Sequence, residues 1–220
     1  MNPGLSGVIE RGLHFIRSQQ RTDGEIASIA DHPPARRDLP GPVYVRSPFL
    51  SAFVVESLRT LDAPSAQPII DRIRRFLRAE EEADGRWRFL GRGASIDPDA
   101  DCTACAAAAL GPEAAAARYQ TALTRFEDPC GLYSSYVNAE GLRYSWILDG
   151  GKVVLGFDRV VNANVARYLG IIGQPCERVW SFLDKELSAG PLEEGSPDYP
   201  NPMCFLFMVA RAARSSSRLL

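Results

Sequence analysis

The chain has 220 residues, of which 45% are hydrophobic and 24% are charged, and its formal net charge at pH 7 is −2. This length allows one domain with a sizeable core, and the balance of apolar and charged residues excludes a largely disordered chain. The near-neutral charge gives no electrostatic basis for binding nucleic acid or an anionic membrane.

The sequence also predicts a compartment. Residues 1–7 lack the basic-then-apolar pattern of a secretory signal, and no apolar run reaches the roughly 18 to 20 residues that cross a bilayer. We therefore expect a soluble, cytoplasmic protein, and nothing in the composition indicates peripheral membrane contact. The five cysteines are an odd number in a chain without an export signal, which favours reduced thiols over disulfides.

Hydrophobic spacing predicts four amphipathic helices. They cover roughly 4–19, 65–81, 113–126 and 175–188. The clearest is the second, in which Ile69, Ile73, Phe76 and Leu77 form the apolar stripe. The third is Ala-rich and helical by propensity, although its stripe is weaker.

Each amphipathic helix is followed by an acidic or polar turn that contains Gly, and then by a second, more uniformly apolar helix. The turns read SQQRTDGE at 18–25, EEEADGRWRF at 80–89, FEDPCGLYSSY at 126–136 and LSAGPLEEGSPDY at 187–199. The second helices are predicted at 47–61, 99–110, 158–169 and 199–212. One unit therefore recurs four times at roughly 45 to 60 residues, which is typical of stacked hairpins.

A helix that is apolar on nearly all faces must be covered on nearly all faces, so the second helix of each pair is predicted to be the inner one. The expected fold is all-α, a partial α/α toroid of about four helical hairpins in a single domain over 1–220. A tail from about 214 to 220 is expected to lie outside the ordered fold. The alternative is an irregular helical bundle.

One segment departs from the helical pattern. Between 142 and 157, two β-prone runs flank Asp149-Gly150-Gly151, a tight-turn signal, so a short β-hairpin is predicted there.

The most informative stretch is Asp97-Pro98-Asp99-Ala100-Asp101-Cys102-Thr103-Ala104, where a second helix begins. Asp97 is predicted as its N-cap and Pro98 as its first residue, which places Asp99 and Asp101 in the first turn. Plain capping by acidic residues is the alternative to a functional role. In an inner helix, this turn points into the mouth of the toroid.

The run DADCTA resembles the DxDDTA motif of class II terpene cyclases such as the squalene–hopene cyclases, and Asp84-Gly85-Arg86-Trp87 resembles the Gly–Trp turn of their repeats. The resemblance implies the toroid of the terpene cyclase and prenyltransferase superfamily. It also implies that Asp101 is the Brønsted acid that protonates an alkene or epoxide, with Asp99 as the first Asp of the motif. The chemistry requires no cofactor and no metal.

This sequence departs from the motif at Cys102, which replaces the third Asp. The acid needs neighbouring carboxylates, because carboxylates in close contact cannot all ionise. Asp97, four residues before Asp101, is the hypothetical substitute on the same helical face. The chain is also shorter than a full barrel of five to seven hairpins, so the toroid is expected either to stay open or to be closed by another subunit, in a homodimer or with a partner.

Other residues are candidates for lining a cavity. Trp87 and Phe205 are predicted to provide aromatic walls, although aromatic residues in helical domains are mostly core residues. Asn162 and Asn164 either hold a substrate's polar group or bond to neighbouring turns, as buried amides must. Cys102 is either a thiol nucleophile or a small buried residue, and a zinc site of Asp101, Cys102 and Cys105 lacks a following His.

Three functions remain open at this point. The first is a terpene cyclase-like enzyme that cyclises or isomerises a hydrophobic, isoprenoid-like small molecule with Asp101, Asp99 and Asp97 as its acid group. The second is a binding or assembly protein that keeps the toroid and has lost the chemistry. The third is an acid–base lyase or isomerase that acts on a polar small molecule.

Overall fold

The computed structural model describes residues 3–30, 43–61, 63–111, 115–147, 153–189, 199 and 201–216. Within these ranges the chain forms eight α-helices. Their bounds are Pro3–Gln19 (α1), Pro48–Arg59 (α2), Gln67–Ala79 (α3), Ala100–Leu110 (α4), Ala116–Thr124 (α5), Arg159–Ile171 (α6), Glu177–Ser188 (α7) and Met203–Ser215 (α8). No helix within the described ranges is long and apolar enough to cross a bilayer.

The helices alternate between two layers. Helices α2, α4, α6 and α8 pack side by side in chain order and form the inner layer. Each of α3, α5 and α7 packs on the inner helix that precedes it. The fold is therefore all-α with the arrangement of an α/α toroid, and the prediction of four hairpins with their second helices inside is confirmed.

Composition explains why α4 is central. All eleven of its residues are buried, and seven of them are Ala or Thr, whose small side chains let α2 and α6 approach closely from either side. The outer helix α3 instead buries one stripe of Ile69, Ile70, Ile73, Phe76 and Leu77. Inner and outer positions thus follow directly from how much of each helix is apolar.

Helix α8 departs from this pattern. It buries Phe205 and Met208, but Met203 and Phe207 are 62% and 57% exposed. No outer helix follows it within the described residues, so one face of this inner helix stays uncovered. The helix also includes residues 214 and 215, which the sequence assigned to a tail, whereas 217–220 lie outside the described residues.

Three of the four predicted Gly-containing turns share one backbone geometry, which is consistent with the predicted repeat. In each, an N–H bonds to the carbonyl four residues later, and a Gly N–H closes a tighter turn inside that loop. The outer bonds join Arg21 to Glu25, Glu82 to Arg86 and Asp128 to Leu132, and the Gly donors are Gly24, Gly85 and Gly131. The fourth turn, at 187–199, lies mostly outside the described residues.

Glycine is required in the first of these turns. Gly24 has φ of +102°, and a Cβ there would lie 2.2 Å from the Arg72 carbonyl oxygen of α3. The turn therefore presses its backbone directly against the outer helix of the next hairpin, which only a residue without a side chain permits.

The described residues include three short antiparallel strand pairs. They are Ser28–Ala30 (β1) with Val43–Val45 (β2), Tyr136–Val137 (β3) with Arg143–Tyr144 (β4), and Trp146–Ile147 (β5) with Val153–Val154 (β6). The pair β5–β6 is the predicted hairpin, although its turn at 149–151 lies outside the described residues. The other two pairs were not predicted.

A buried ion cluster joins three inner helices near their C-terminal ends. Glu56 of α2 is almost fully buried, and its carboxylate receives the guanidinium groups of Arg167 from α6 and Arg211 from α8. The same Arg211 lies over the ring of Phe53 on α2, 4.3 Å from its centre. The inner layer therefore curves until its last helix contacts its first.

Candidate functional site

The start of α4 is held by the turns on both sides of it. Asp99 is extended and pairs with Trp87 of one turn and Tyr136 of the next, and the Ala100 N–H donates to the Ser135 carbonyl. These long-range pairs keep residue 99 out of the helix, so α4 begins at Ala100. Asp99 is its N-cap and accepts from the Cys102 N–H at 2.6 Å.

This placement corrects the sequence prediction that Asp97 is the N-cap and Pro98 the first helical residue. Residues 97–99 precede the helix, so Asp97 does not share a helical face with Asp101. Its half-buried carboxylate accepts instead from the Tyr144 hydroxyl of β4 at 2.7 Å. Burial and the charges of Asp97 and Asp99 raise the pKa of Tyr144, which therefore stays a hydrogen-bond donor.

Asp101 lies in the first turn of α4 and is only 7% exposed. Its two carboxylate oxygens are held by different elements: the Asn164 amide of α6 donates to Oδ1 at 2.7 Å, and the Tyr199 hydroxyl donates to Oδ2. Burial and the charge of Asp101 raise the pKa of Tyr199 well above its usual value. The carboxyl group is thus enclosed, and each of its oxygens has a hydrogen-bond donor from a different element.

Tyr199 is the site residue that the sequence analysis missed. It stands four residues before α8, at the start of the segment predicted as the fourth inner helix. Nothing in its local sequence distinguishes it from a core aromatic residue. Only the tertiary fold, which brings the segment before α8 to the start of α4, places its hydroxyl at Asp101.

Aromatic rings lie beside Tyr199. The ring of Phe49, in the first turn of α2, is 6.4 Å from the Tyr199 ring, 4.7 Å from that of Phe53 and 6.2 Å from that of Phe89. All four side chains are half-buried. We call these four residues the aromatic cluster.

The remaining predicted site residues lie in different places. Phe205 is buried in the first turn of α8, with the Arg159 guanidinium 5.0 Å from its ring centre. Trp87 does not face the inner side of α4: its indole N–H donates to the Leu77 carbonyl, and its ring contacts Tyr119. Both partners belong to outer helices, so Trp87 is a core residue between the layers.

Asn162 and Asn164 are both buried and have different roles. Asn162 accepts from the Tyr133 N–H at 3.0 Å and donates to the Tyr133 and Asp158 carbonyls at 2.8 and 2.9 Å, so it holds a turn. Asn164 faces Asp101, and its Oδ1 is buried with no hydrogen-bond partner among the described residues. Asn162 therefore bonds to a neighbouring turn, whereas contact of Asn164 with a substrate stays a prediction.

The cysteines of α4 are buried. Burial, together with the charges of Asp99 and Asp101, raises the pKa of Cys102 well above its usual value, and burial also raises the pKa of Cys105. A buried, neutral thiol is a poor nucleophile. In the part of the chain that the structure describes, no three His, Cys, Asp or Glu residues are grouped to hold a metal.

No protein-family model matches the chain, and no curated protein matches it. Solved structures do resemble it. The type II terpene cyclase MstE from Scytonema superposes with a TM-score of 0.68 over 97% of this chain, at 18% sequence identity. A protein from Actinoplanes superposes with a TM-score of 0.66 over 97% of the chain, at 21% identity.

A variant of MstE in complex with its substrate, geranylgeranyl dihydroxybenzoate, also superposes, with a TM-score of 0.63 over 96% of the chain at 19% identity. This chain covers 60% of the length of MstE and 61% of that of the Actinoplanes protein. The similarity is one of backbone arrangement, because fewer than a quarter of the aligned residues are identical. The chain therefore has a terpene cyclase-like α/α fold.

Proposed function

We propose that the protein is a terpene cyclase-like enzyme in which Asp101 donates a proton to an alkene or epoxide of a hydrophobic, isoprenoid-like substrate. The product is a cyclised or isomerised hydrocarbon skeleton. One observation carries the proposal: Asp101 is a buried carboxyl group on an inner helix, held at both oxygens by Asn164 and Tyr199. A surface carboxylate that only capped the helix would have neither partner.

The two donors support the role of a strong acid. When Asp101 releases its proton, the carboxylate keeps the hydrogen bonds from Asn164 and Tyr199, so the conjugate base is stabilised. Burial excludes the bulk water that would otherwise take the proton. Asp99 caps the helix next to Asp101, and the neutral Cys102 thiol adds no charge in place of the motif's third Asp.

The aromatic cluster supports the choice of substrate. Protonation of an alkene leaves a carbocation, which aromatic faces attract and which water would quench. Tyr199 contacts Asp101 through its hydroxyl and Phe49 through its ring, so the cluster begins directly beside the acid. We assign Phe49, Phe53 and Phe89 to the wall that faces the substrate.

The experiment is to incubate the purified protein with linear polyprenyl alcohols, diphosphates and epoxides and to search for isomeric products by mass spectrometry. Asp101→Asn keeps the size of the side chain and one oxygen that can accept from Asn164, but it cannot donate a carboxyl proton, and we expect at least a roughly hundredfold loss of product. The matched control is Asp71→Asn on the exposed side of α3, which we expect to retain full activity. Product formation unaffected by Asp101→Asn refutes the proposal.

Asp97→Asn tests the remaining member of the predicted acid group. Because Tyr144 holds the Asp97 carboxylate away from α4, we expect the acid limb of the pH–activity profile to stay in place. A shift of the acid limb would instead show that Asp97 affects the ionisation of Asp101.

The second candidate is a binding or assembly protein with this fold and no chemistry. It is favoured by Cys102, which stands at the third motif position in place of an Asp. Equilibrium binding of the same polyprenyl compounds separates the two. Saturable binding by both the wild type and Asp101→Asn, with no product from either, supports the second candidate.

A further inference from the structure

A cavity of about 310 Å³ lies apart from Asp101. It is formed by the turn of the second hairpin, the residue after α5 and the β3–β4 loop. Its lining residues are Arg86, Arg125, Val137, Asn138, Ala139, Gly141 and Arg143. The helical toroid does not require such a cavity, and the proposed acid does not use it.

The lining is rich in arginine. Three arginine side chains line the cavity, and two nearby carboxylates offset only part of their positive charge. Arg86 and Arg125 share a single oxygen of Asp84, at 2.8 and 2.5 Å, and the other carboxylate, Glu140, accepts from the Asn138 amide at the rim. Among the described residues, no carboxylate lies within ion-pair distance of Arg143. The cavity therefore has a net positive charge.

The arginines are also fixed in position. Arg86 is only 15% exposed, and its guanidinium lies between Asp84 and the ring of Phe126, 5.9 Å from the ring centre. Arg143, which also lines the cavity, donates through Nε to the Arg125 carbonyl at 2.9 Å. Side chains that are ordered before binding lose less entropy when an anion arrives.

We propose that this cavity binds a compact oxyanion, either a phosphate or a carboxylate group. Arginine forks match the geometry of both groups and bind them through paired, charge-assisted hydrogen bonds. The volume is at the lower end of small-molecule sites, and about ten waters would fill it, so it suits one anionic group and its hydration rather than a larger ligand.

The test is a calorimetric titration of the full chain with sodium phosphate and, separately, sodium acetate, each at an ionic strength held constant with sodium chloride. Arg125→Ala and Arg143→Ala change rim residues that are exposed, so the fold is expected to persist, and circular dichroism verifies this. We expect each variant to weaken binding at least fivefold. Arg75→Ala, an exposed arginine on α3, is the matched control and should leave the affinity unchanged.

Asp84→Asn is expected to change the affinity for the anion in the opposite direction. It removes the carboxylate shared by two of the arginines, so we expect tighter binding of phosphate, a result that mere loss of structure would not produce. Preference for phosphate over acetate identifies a phosphate site, and the reverse identifies a carboxylate site. Absence of saturable binding of both anions, or equal affinities in wild type and Arg143→Ala, overturns the proposal.

Discussion

Two asparagines on one helix provide a sharp test of which buried groups maintain the fold. Asn162 makes three hydrogen bonds to backbone groups, two of them to Tyr133 in the turn of the third hairpin. Each is worth about 1 kcal/mol net, and Asn162→Ala also leaves the buried Tyr133 N–H without this acceptor. We expect the free energy of unfolding to fall by about 2–4 kcal/mol, a large share of a typical 5–15 kcal/mol.

Asn164→Ala is the matched control, because it removes the same atoms from the same helix two residues away. It loses one hydrogen bond to Asp101, but it also removes the buried Oδ1, an unpartnered carbonyl that costs roughly 1–3 kcal/mol. These effects oppose each other, so the expected loss of stability is about 1 kcal/mol or less. Asn164→Ala should instead impair the proposed proton transfer.

Urea unfolding followed by far-UV circular dichroism measures both losses, with the m-value checking that the transition stays two-state. Thermal unfolding should show a decrease of roughly 6–12 °C in Tm for Asn162→Ala. Equal losses in the two variants, or a loss below about 1 kcal/mol for Asn162→Ala, would refute the assignment of Asn162 to the fold.

Two further predictions concern thiols and tyrosines. At pH 8 a disulfide reagent should modify the exposed Cys130 quickly, whereas Cys102 and Cys105 should react only after unfolding in urea. Rapid modification of all five cysteines in the native protein would contradict the burial of α4. Burial raises the pKa of Tyr119 and of Tyr168 to about 12. Tyrosines in the unfolded chain ionise near pH 10, so the unfolded state binds fewer protons than the folded state between about pH 10 and 12. The stability that these two residues contribute is therefore complete below about pH 10 and is lost as the pH rises to about 12. Urea midpoints across this range and the ultraviolet absorbance of tyrosinate check the result, and a midpoint that rises with pH would contradict it.

The helices were predictable because their hydrophobic patterns differ in kind. A helix with a single apolar stripe, such as that of Ile69, Ile73 and Phe76, needs to be covered on that one face only. The Ala-rich helix after Asp101 is apolar on nearly all faces and needs neighbours on all of them. The exposure of Phe207 was not predictable from such a pattern. It depends on which other elements pack against α8, and the composition of α8 does not determine that.

The candidate site was only partly predictable. The sequence correctly placed Asp99 and Asp101 at the start of an inner helix, but it wrongly predicted Asp97 instead of Asp99 as the N-cap. That choice depends on the pairing of residue 99 with Trp87 and Tyr136, which are distant in sequence. Tyr199 was missed for the same reason, since its contact with Asp101 joins residues almost a hundred positions apart.

The ion cluster at Glu56 changes how the repeats depend on one another. In an open array, each repeat touches only its neighbours, and the end repeats can melt alone. Here one carboxylate on the first hairpin is neutralised by arginines from the third and the fourth. Unfolding of the last hairpin alone would remove Arg211 and open the buried Glu56–Arg167 pair to water, so the two ends of the chain are expected to unfold together, in a single all-or-none event.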